Sequence, residues 1–313
     1  MILICSKKDD RSAERVFKIL QKNEEVFYLC LDDYLSHEPS IIFLGGNIEN
    51  KINIDLCRVS AIYYRALVFP YLPNSEMPEM YRNFLNRELI TMFLGQLMLR
   101  PVRWINHPFY SHLANYKIIQ MEKAVSVGLN LPDTCIATTP KMLFEFYDKK
   151  RNMGSGVITK AIHLGYVQSK NSDEDEIIFT QDVDINSVDD IPDGQPLLFQ
   201  EKIKPDYEIR CFVIGSKVLA VKIETKECYS DYREIDDSLL KAEILGLPES
   251  VQNSCAQLTK NFNLEYSAID LIYKDGKYFF IDFNPTGEWW WYEERTGLPI
   301  SYSIARLLVD NNC

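Results

Sequence analysis

The sequence predicts an α/β (α+β) protein built from two or three subdomains. Three observations lead there. Near the start, the short apolar runs MILICS, VFYLC and VSAIYYR are spaced by helical or turn-like stretches, the pattern of a small, largely parallel sheet. The last third is rich in strands and ends in a hairpin. And a chain of 313 residues is longer than a single core usually grows.

Composition narrows the class. Hydrophobic residues make up 46% and charged residues 25%, ordinary for a soluble globular protein. No apolar run reaches the ~18–20 residues that span a bilayer. MILICSKKDD turns to charges after four apolar residues, unlike a secretory signal. The expectation is a cytoplasmic protein with no membrane partner. A net charge of −11 argues against nucleic acid as a partner, because phosphate backbones need a basic face. It leaves room for a local basic pocket that holds a nucleotide. The eight cysteines include no CxxC pair and read as reduced, mostly buried thiols. His37, His107, His112 and His163 lack metal-ligand spacing.

Taken in order, MILICS is a buried strand, residues 12–21 a helix and VFYLC a second strand. IIFLGG, a hairpin-like stretch and VSAIYYR read as further strands. Residues 76–99 form a long amphipathic helix, with Phe84, Leu85, Leu89, Met92, Phe93 and Leu97 near helical spacing. WINHP closes the first region. Residues 111–127 read as one helix stopped by Gly128, and LPDTCIAT as a strand. GVITKAI is a strand with Lys160 at its centre, either guarding a sheet edge or binding an anion. RNMGSG before it could close over phosphates through its backbone N–H groups. NSDEDE is a solvated loop or a docking surface for a basic peptide. PLLFQEKI and EIRCFVIGSKVLAVKI are strands, the latter turning at Gly215 and Ser216. Residues 239–262 read as mostly helical, and residues 300–308 as a short closing helix. Subdomain boundaries fall near 110 and 200. There is no P-loop pattern and no Rossmann fingerprint.

SAIDLIYKDGKYFFIDFNP is a hairpin around Asp275 and Gly276. Alternation along its second strand puts Phe279, Ile281 and Phe283 on one face and Asp282 and Asn284 on the other. Where Asp270 points depends on the loop. A two-residue loop sets it opposite Ile281, facing away from Asp282. A three-residue loop with Gly276 left-handed sets it opposite Phe280, on the face of Asp282 and Asn284. In that second register two acids and an amide oxygen suit Mg²⁺ carried in with phosphates. The other reading is two unrelated surface acids. Lys117, Lys160, Arg210, Lys222 and Arg233 are the basic residues that could meet phosphates, and Arg210 and Lys222 lie on apolar strands. Trp289 and Trp291 either pack in the core or wall a substrate.

The ordered series NYK, GLNLPDT, VITKA, FQEKI, YEIRCFVIG, SDYR and AIDLIY–FIDFNP resembles the ATP-grasp superfamily over about residues 105–290. Within it, YYRA, WINHP and NPTGEWWWYEERTGLPI look most like the peptide-modifying ligases of graspetide biosynthesis, a class of ribosomal-peptide (RiPP) maturases of the microviridin and grasp-with-spasm types. The resemblance implies an ATP-grasp fold: an N-terminal preATP-grasp α/β domain (1–110), a central domain (111–200) and a C-terminal domain (201–313), with ATP between the last two. By position, Lys117 and Lys160 would contact the phosphates. Gln200, Glu201 and Ile203 would form the hinge that reads adenine, and Glu208 would bind ribose. Asp270, Asp282 and Asn284 would hold Mg²⁺. Arg210 and Arg233 would steady the transferred phosphate and the acyl phosphate. Asp282 stands where the family usually has Glu, and Tyr232 where it has Trp or Phe.

The implied activity is an ATP-dependent ligase with ATP and Mg²⁺ as cofactors. It would activate Asp or Glu side chains of a ribosomal precursor peptide as acyl phosphates. It would close macrocyclic esters with Thr or Ser, or amides with Lys. A leader segment would be recognised around residues 165–195, and a homodimer is what the family suggests. The rivals are an amino-acid ligase of the glutamate-adding or dipeptide-forming kind, a non-catalytic nucleotide-binding homologue, and a phosphotransferase.

Overall fold

The computed structural model describes residues 1–30, 34–35, 38–44, 47–52, 54–65, 77–99, 101–162, 166–167, 176–177, 180–185, 194–224 and 241–310. Among these are three principal sheets. The first is wholly parallel, in the order β2 (Val26–Leu29), β1 (Ile2–Cys5), β5 (Ala61–Tyr64), β6 (Arg103–Ile105). Helix α1 (Arg11–Leu20) follows β1 and is capped by the Asp10 side chain, which accepts from the Ala13 N–H at 3.0 Å. IIFLGG does not join this sheet. Its residues form β3 (Ser40–Leu44), which pairs only with β4 (Asn47–Lys51) as a separate hairpin. Phe43 and Leu44 are exposed, so the described residues lay no second apolar layer over that strand. Helix α2 (Glu79–Leu97) buries Phe93 and Leu97 against the parallel sheet.

The expected single helix over 111–127 is two. Helix α3 (Pro108–Leu113) ends at Ala114, and α4 (Lys117–Ser126) restarts after Tyr116. The break puts Lys117 at the first turn of the new helix. The second sheet is antiparallel, in the order β11 (Gln181–Asp182), β8 (Gly156–Lys160), β12 (Leu197–Lys202), β7 (Thr134–Ala137). Helix α5 (Pro140–Asn152) packs on it through Leu143. Strands β9 (Tyr166–Val167) and β10 (Glu176–Ile177) form a separate short antiparallel pair.

The third sheet holds the rest: β15 (Lys241–Leu245), β14 (Lys217–Glu224), β13 (Tyr207–Ile214), β16 (Tyr266–Lys274) and β17 (Lys277–Asn284), all antiparallel neighbours. Residues 241–245, expected to be helical, are strand β15 because they pair along the edge of β14. Helix α6 (Glu249–Asn261) begins only after Pro248, a residue suited to helix starts rather than interiors. One face of this sheet packs on α6 and α4 through Ile209, Cys211, Phe280 and Phe283. The other packs through Phe212, Ile214, Val221 and Ile223 on the C-terminal helices α7 (Trp290–Thr296) and α8 (Ile300–Val309) and on the first sheet. Trp289 is fully buried there, so core packing accounts for it. Trp291 is half-buried and stacks on Tyr292. The described cysteines are all free thiols, four of them buried. No described helix is long and apolar enough to cross a membrane.

Candidate active site

The site is built on the hairpin of β16 and β17. Its turn has two residues, since Lys274 pairs with Lys277, and Asp275 (φ 48°) and Gly276 (φ 81°) both take left-handed backbone. That is the type I′ geometry favoured by Asp-Gly. The three-residue loop on which the metal reading rested is therefore not formed. The acids nevertheless share a face. A β-bulge between Leu271 and Asp270 leaves Ile281 without a partner and sets Asp270 directly across from Asp282. An extra residue on one strand shifts every later side chain to the opposite face. The same shift brings Phe280 into the core beside Phe283, instead of onto the face of Asp282.

Arg210 on β13 lies across from Asp270 in its turn. One row of the sheet thus reads Arg210, Asp270, Asp282. Arg210 Nη1 donates to both Asp270 oxygens at 2.7 and 2.8 Å. Lys117, from the first turn of α4, donates to Asp282 Oδ1 at 2.7 Å. Like charges opposed across strands repel, and here a cation at each end offsets that. Lys160 reaches over from the second sheet and donates to the carbonyl of Ile281 at 3.0 Å. The bulge that aligns the carboxylates is thus also where Lys160 attaches. Burial pushes the Asp282 carboxyl up, but the Lys117 and Lys160 charges, the Lys117 hydrogen bond and the Phe283 N–H together hold it below the usual carboxylate range.

Asn284 is exposed at the end of β17, with Oδ1 accepting from the Thr286 N–H at 2.9 Å. Gly287 follows, folded back on the sheet. A Cβ there would lie 2.5 Å from Ala268 Cβ and 2.6 Å from Arg210 Nη2. Glycine at this position is a steric requirement, set first by the Ala268 methyl and then by the Arg210 guanidinium.

Two carboxylates and an amide oxygen are hard oxygen donors. Among the described residues no group of three or more His, Cys, Asp and Glu side chains could enclose a metal. The donor set fits Mg²⁺, which binds through one or two carboxylates plus phosphates rather than in an all-protein cage. Both carboxylates are partly exposed, at 25% and 35%, so a cation can reach them.

The other expected residues are distributed as follows. Gln200 is buried, donates from Nε2 to Thr134 Oγ1 at 2.9 Å, and has no partner for Oε1 among the described residues. Glu201 is held by Lys150 at 3.0 Å and by Ser155 Oγ at 2.9 Å. Its carboxylate is thereby committed to the protein, and the Glu201 N–H to Asp133 O. Ile203 is half-buried just past β12. Glu208 is half-buried on β13, two residues from Arg210 on the same face. Lys222 faces the other way, over the Tyr207 ring at 4.8 Å. Arg233 and most of residues 165–195 lie outside the described residues.

Sequence reasoning missed Lys150 and Gly287. Lys150 is buried between Asp133 and Glu201. It sits in a run of basic residues at the end of a helix, YDKKRN, which reads as surface. Gly287 follows a proline in a turn-like stretch, and nothing local reports the Arg210 side chain above it.

Two antiparallel sheets joined by a lysine that spans them, with a parallel N-terminal sheet beside them, form the ATP-grasp fold. The chain is similar over its whole length to the macrocyclase MdnC bound with precursor peptide MdnA from Microcystis aeruginosa MRC, at 24% identity, 100% coverage of both chains and a TM-score of 0.85. It is similar also to a RiPP-associated ATP-grasp ligase of Chryseobacterium gregarium in complex with ADP and a leader and core peptide, at 23% identity, 100% and 97% coverage and a TM-score of 0.86. D-alanine–D-alanine ligase from Bacillus anthracis, complexed with ATP, is more remote, at 15% identity, 99% and 95% coverage and a TM-score of 0.56. No protein-family model and no curated protein matches the chain.

Proposed function

We propose that this protein is an ATP-dependent carboxylate ligase of the graspetide type, acting on side chains of a ribosomal precursor peptide. The observation that carries the reading is the Arg210–Asp270–Asp282 row closed by Lys117, with Lys160 anchored at the bulge. Cations interleaved with carboxylates on one partly exposed face suit nucleotide phosphates and their metal. The much greater similarity to the two peptide ligases than to the dipeptide-forming enzyme favours a peptide substrate over free amino acids.

In this reading residues 1–110, 111–200 and 201–313 are the preATP-grasp, central and C-terminal domains. Lys117 and Lys160 release their present partners to the β- and γ-phosphates. Asp270, Asp282 and Asn284 hold Mg²⁺, which supplies charge neutralisation at the phosphates. Gln200, Glu201 and Ile203 form the adenine hinge, where the Gln200 amide oxygen is an acceptor in need of a donor. Glu208 takes the ribose. A peptide carboxylate oxygen attacks the γ-phosphorus and ADP leaves. Arg210 and Arg233 orient the acyl phosphate. A hydroxyl or amine of the same peptide then attacks the acyl carbon, loses its proton, and phosphate departs with one former carboxylate oxygen. The leader of the precursor binds in the central domain, and the protein works in the cytoplasm as a homodimer.

The test is to incubate the protein with ATP, Mg²⁺ and a short Thr- and Glu/Asp-rich candidate precursor, sought first among the genes beside its own, and to weigh the peptide. Loss of one water per crosslink, abolished by Asp270→Ala, is the expected result. An unchanged peptide with ATP consumed sends the reading to free amino acids or phosphotransfer.

A further inference from the structure

The segments YYRA, WINHP and GEWWW are far apart in the chain and lie outside the row just described. They meet at the four residues that follow β17. Glu288 accepts from Arg65 Nη2 at 2.7 Å and from Ser12 Oγ at 2.8 Å. Arg65 is 4% exposed. Its Nε donates to Asp10 at 2.6 Å, and Asp10 also accepts from Ser6 Oγ at 2.5 Å and caps α1. Asn106, from WINHP, donates to the carbonyls of Pro285 and Tyr266 at 2.7 Å each, and accepts the N–H groups of Glu265 and Tyr266. Tyr266 Oη donates to the Gly287 carbonyl at 2.7 Å. Residues 285–288 are therefore tied at three points, two of them to side chains of the parallel sheet and the segments that flank it.

The position of this loop matters because of what it touches. Gly287 lies so close to Ala268 and to the Arg210 guanidinium that no Cβ fits, and it also approaches Asn284. Arg210 in turn grips Asp270. Of the tethers, only the Glu288 carboxylate is an ion pair, joining a half-exposed acid to a buried arginine. Buried charges hold geometry tightly, because moving one away from its partner leaves it uncompensated.

We propose that Glu288 is a positioning residue: fixed by Arg65 and Ser12, it sets Gly287 against Arg210 and so fixes the guanidinium that faces Asp270. The N-terminal sheet thereby controls the aim of a site to which it contributes no ligand. This inference rests on the functional reading above for its kinetic consequence, and on the structure alone for the tether.

Both halves are tested with Glu288→Gln, which keeps size and removes charge, and Glu288→Asp, which keeps the charge. The first measurement is backbone hydrogen exchange of residues 284–291 in the ligand-free protein, with the thermal midpoint as control. The tether predicts exchange about tenfold faster in Glu288→Gln, restored in part by Glu288→Asp, with the midpoint of each variant well above the temperature of the measurement. The second is turnover of Mg²⁺-ATP with the peptide. Displacing a group next to the reacting centre predicts a kcat lower by about tenfold or more, with KM for ATP nearly constant. Unchanged exchange together with unchanged kcat overturns the inference. Faster exchange in a protein whose wild type turns over no ATP with any peptide upholds the tether and overturns the functional reading instead.

Discussion

At the scale of single residues, the site depends on charges that neutralise one another and on one absent side chain. Asp270 and Asp282 face each other across the hairpin, an arrangement that costs free energy unless cations flank it. Arg210 and Lys117 supply them. Gly287 is the steric counterpart. Gly287→Ala forces a methyl into Ala268 and Arg210, and over-packing of this kind costs about 1–3 kcal/mol. The expected outcome is a lower urea midpoint and lower turnover together, with nucleotide affinity less affected; an unchanged midpoint would show that the loop yields easily. The acids and Asn284 were legible in the sequence because alternation on a strand is a local rule. Lys150 was not, because its partners Asp133 and Glu201 are brought to it by other elements.

At the scale of elements, the hairpin puts Asp270 and Asp282 on one face by a register that neither loop length provides alone. The sequence permits a two-residue or a three-residue loop, and in an unbroken ladder only the longer one puts Asp270 on the face of Asp282. The molecule instead takes the shorter turn and inserts Ile281 as a bulge. Bulges arise from strand twist and packing and have no firm sequence signal, so the face was predictable and the means were not. The same limit applies to residues 241–245, where a helix-compatible stretch becomes strand because β14 offers an edge, and to the helix over 111–127 that divides before Lys117. The turn gives a direct check. Gly276 has φ 81° and open space around it, so Gly276→Ala costs only left-handed backbone strain, about 1–2 kcal/mol. Urea unfolding should register that loss, and Mg²⁺-ADP binding should not change. A loss well above that range would mean that packing, not backbone conformation, holds the turn.

At the scale of the whole molecule, the first and third sheets are joined by buried polar contacts as well as by the apolar core that contains Trp289. The ordered motifs announced the ATP-grasp architecture. They did not announce the Arg65–Asp10–Glu288 connection, which spans more than two hundred residues of chain and has no local trace. Its energetics carry a pH signature. Burial raises the Asp10 carboxyl, but the Arg65 charge and the hydrogen bonds from Ser6, the Ala13 N–H and Arg65 outweigh that and hold it below the ordinary value. A carboxyl with a lowered folded-state pKa adds stability that is complete above its unfolded value, about pH 4, and is lost as pH falls through the lower folded value. The urea midpoint should therefore drop on acidification below about pH 4, and Asp10→Asn should make that acid limb shallower. An acid limb as steep in Asp10→Asn as in the wild type would assign the effect to other carboxyls.

The central claim is that this site makes an acyl phosphate from a peptide carboxylate. The measurement closest to it uses the candidate precursor peptide with heavy oxygen in its Asp and Glu side chains, incubated with the protein, Mg²⁺ and ATP, followed by mass analysis of the released phosphate. The account predicts one heavy oxygen in each phosphate and one ring closure for each phosphate formed. Phosphate without label, released while ATP is consumed, would mean that water and not the peptide carboxylate attacks the nucleotide, and would contradict the account.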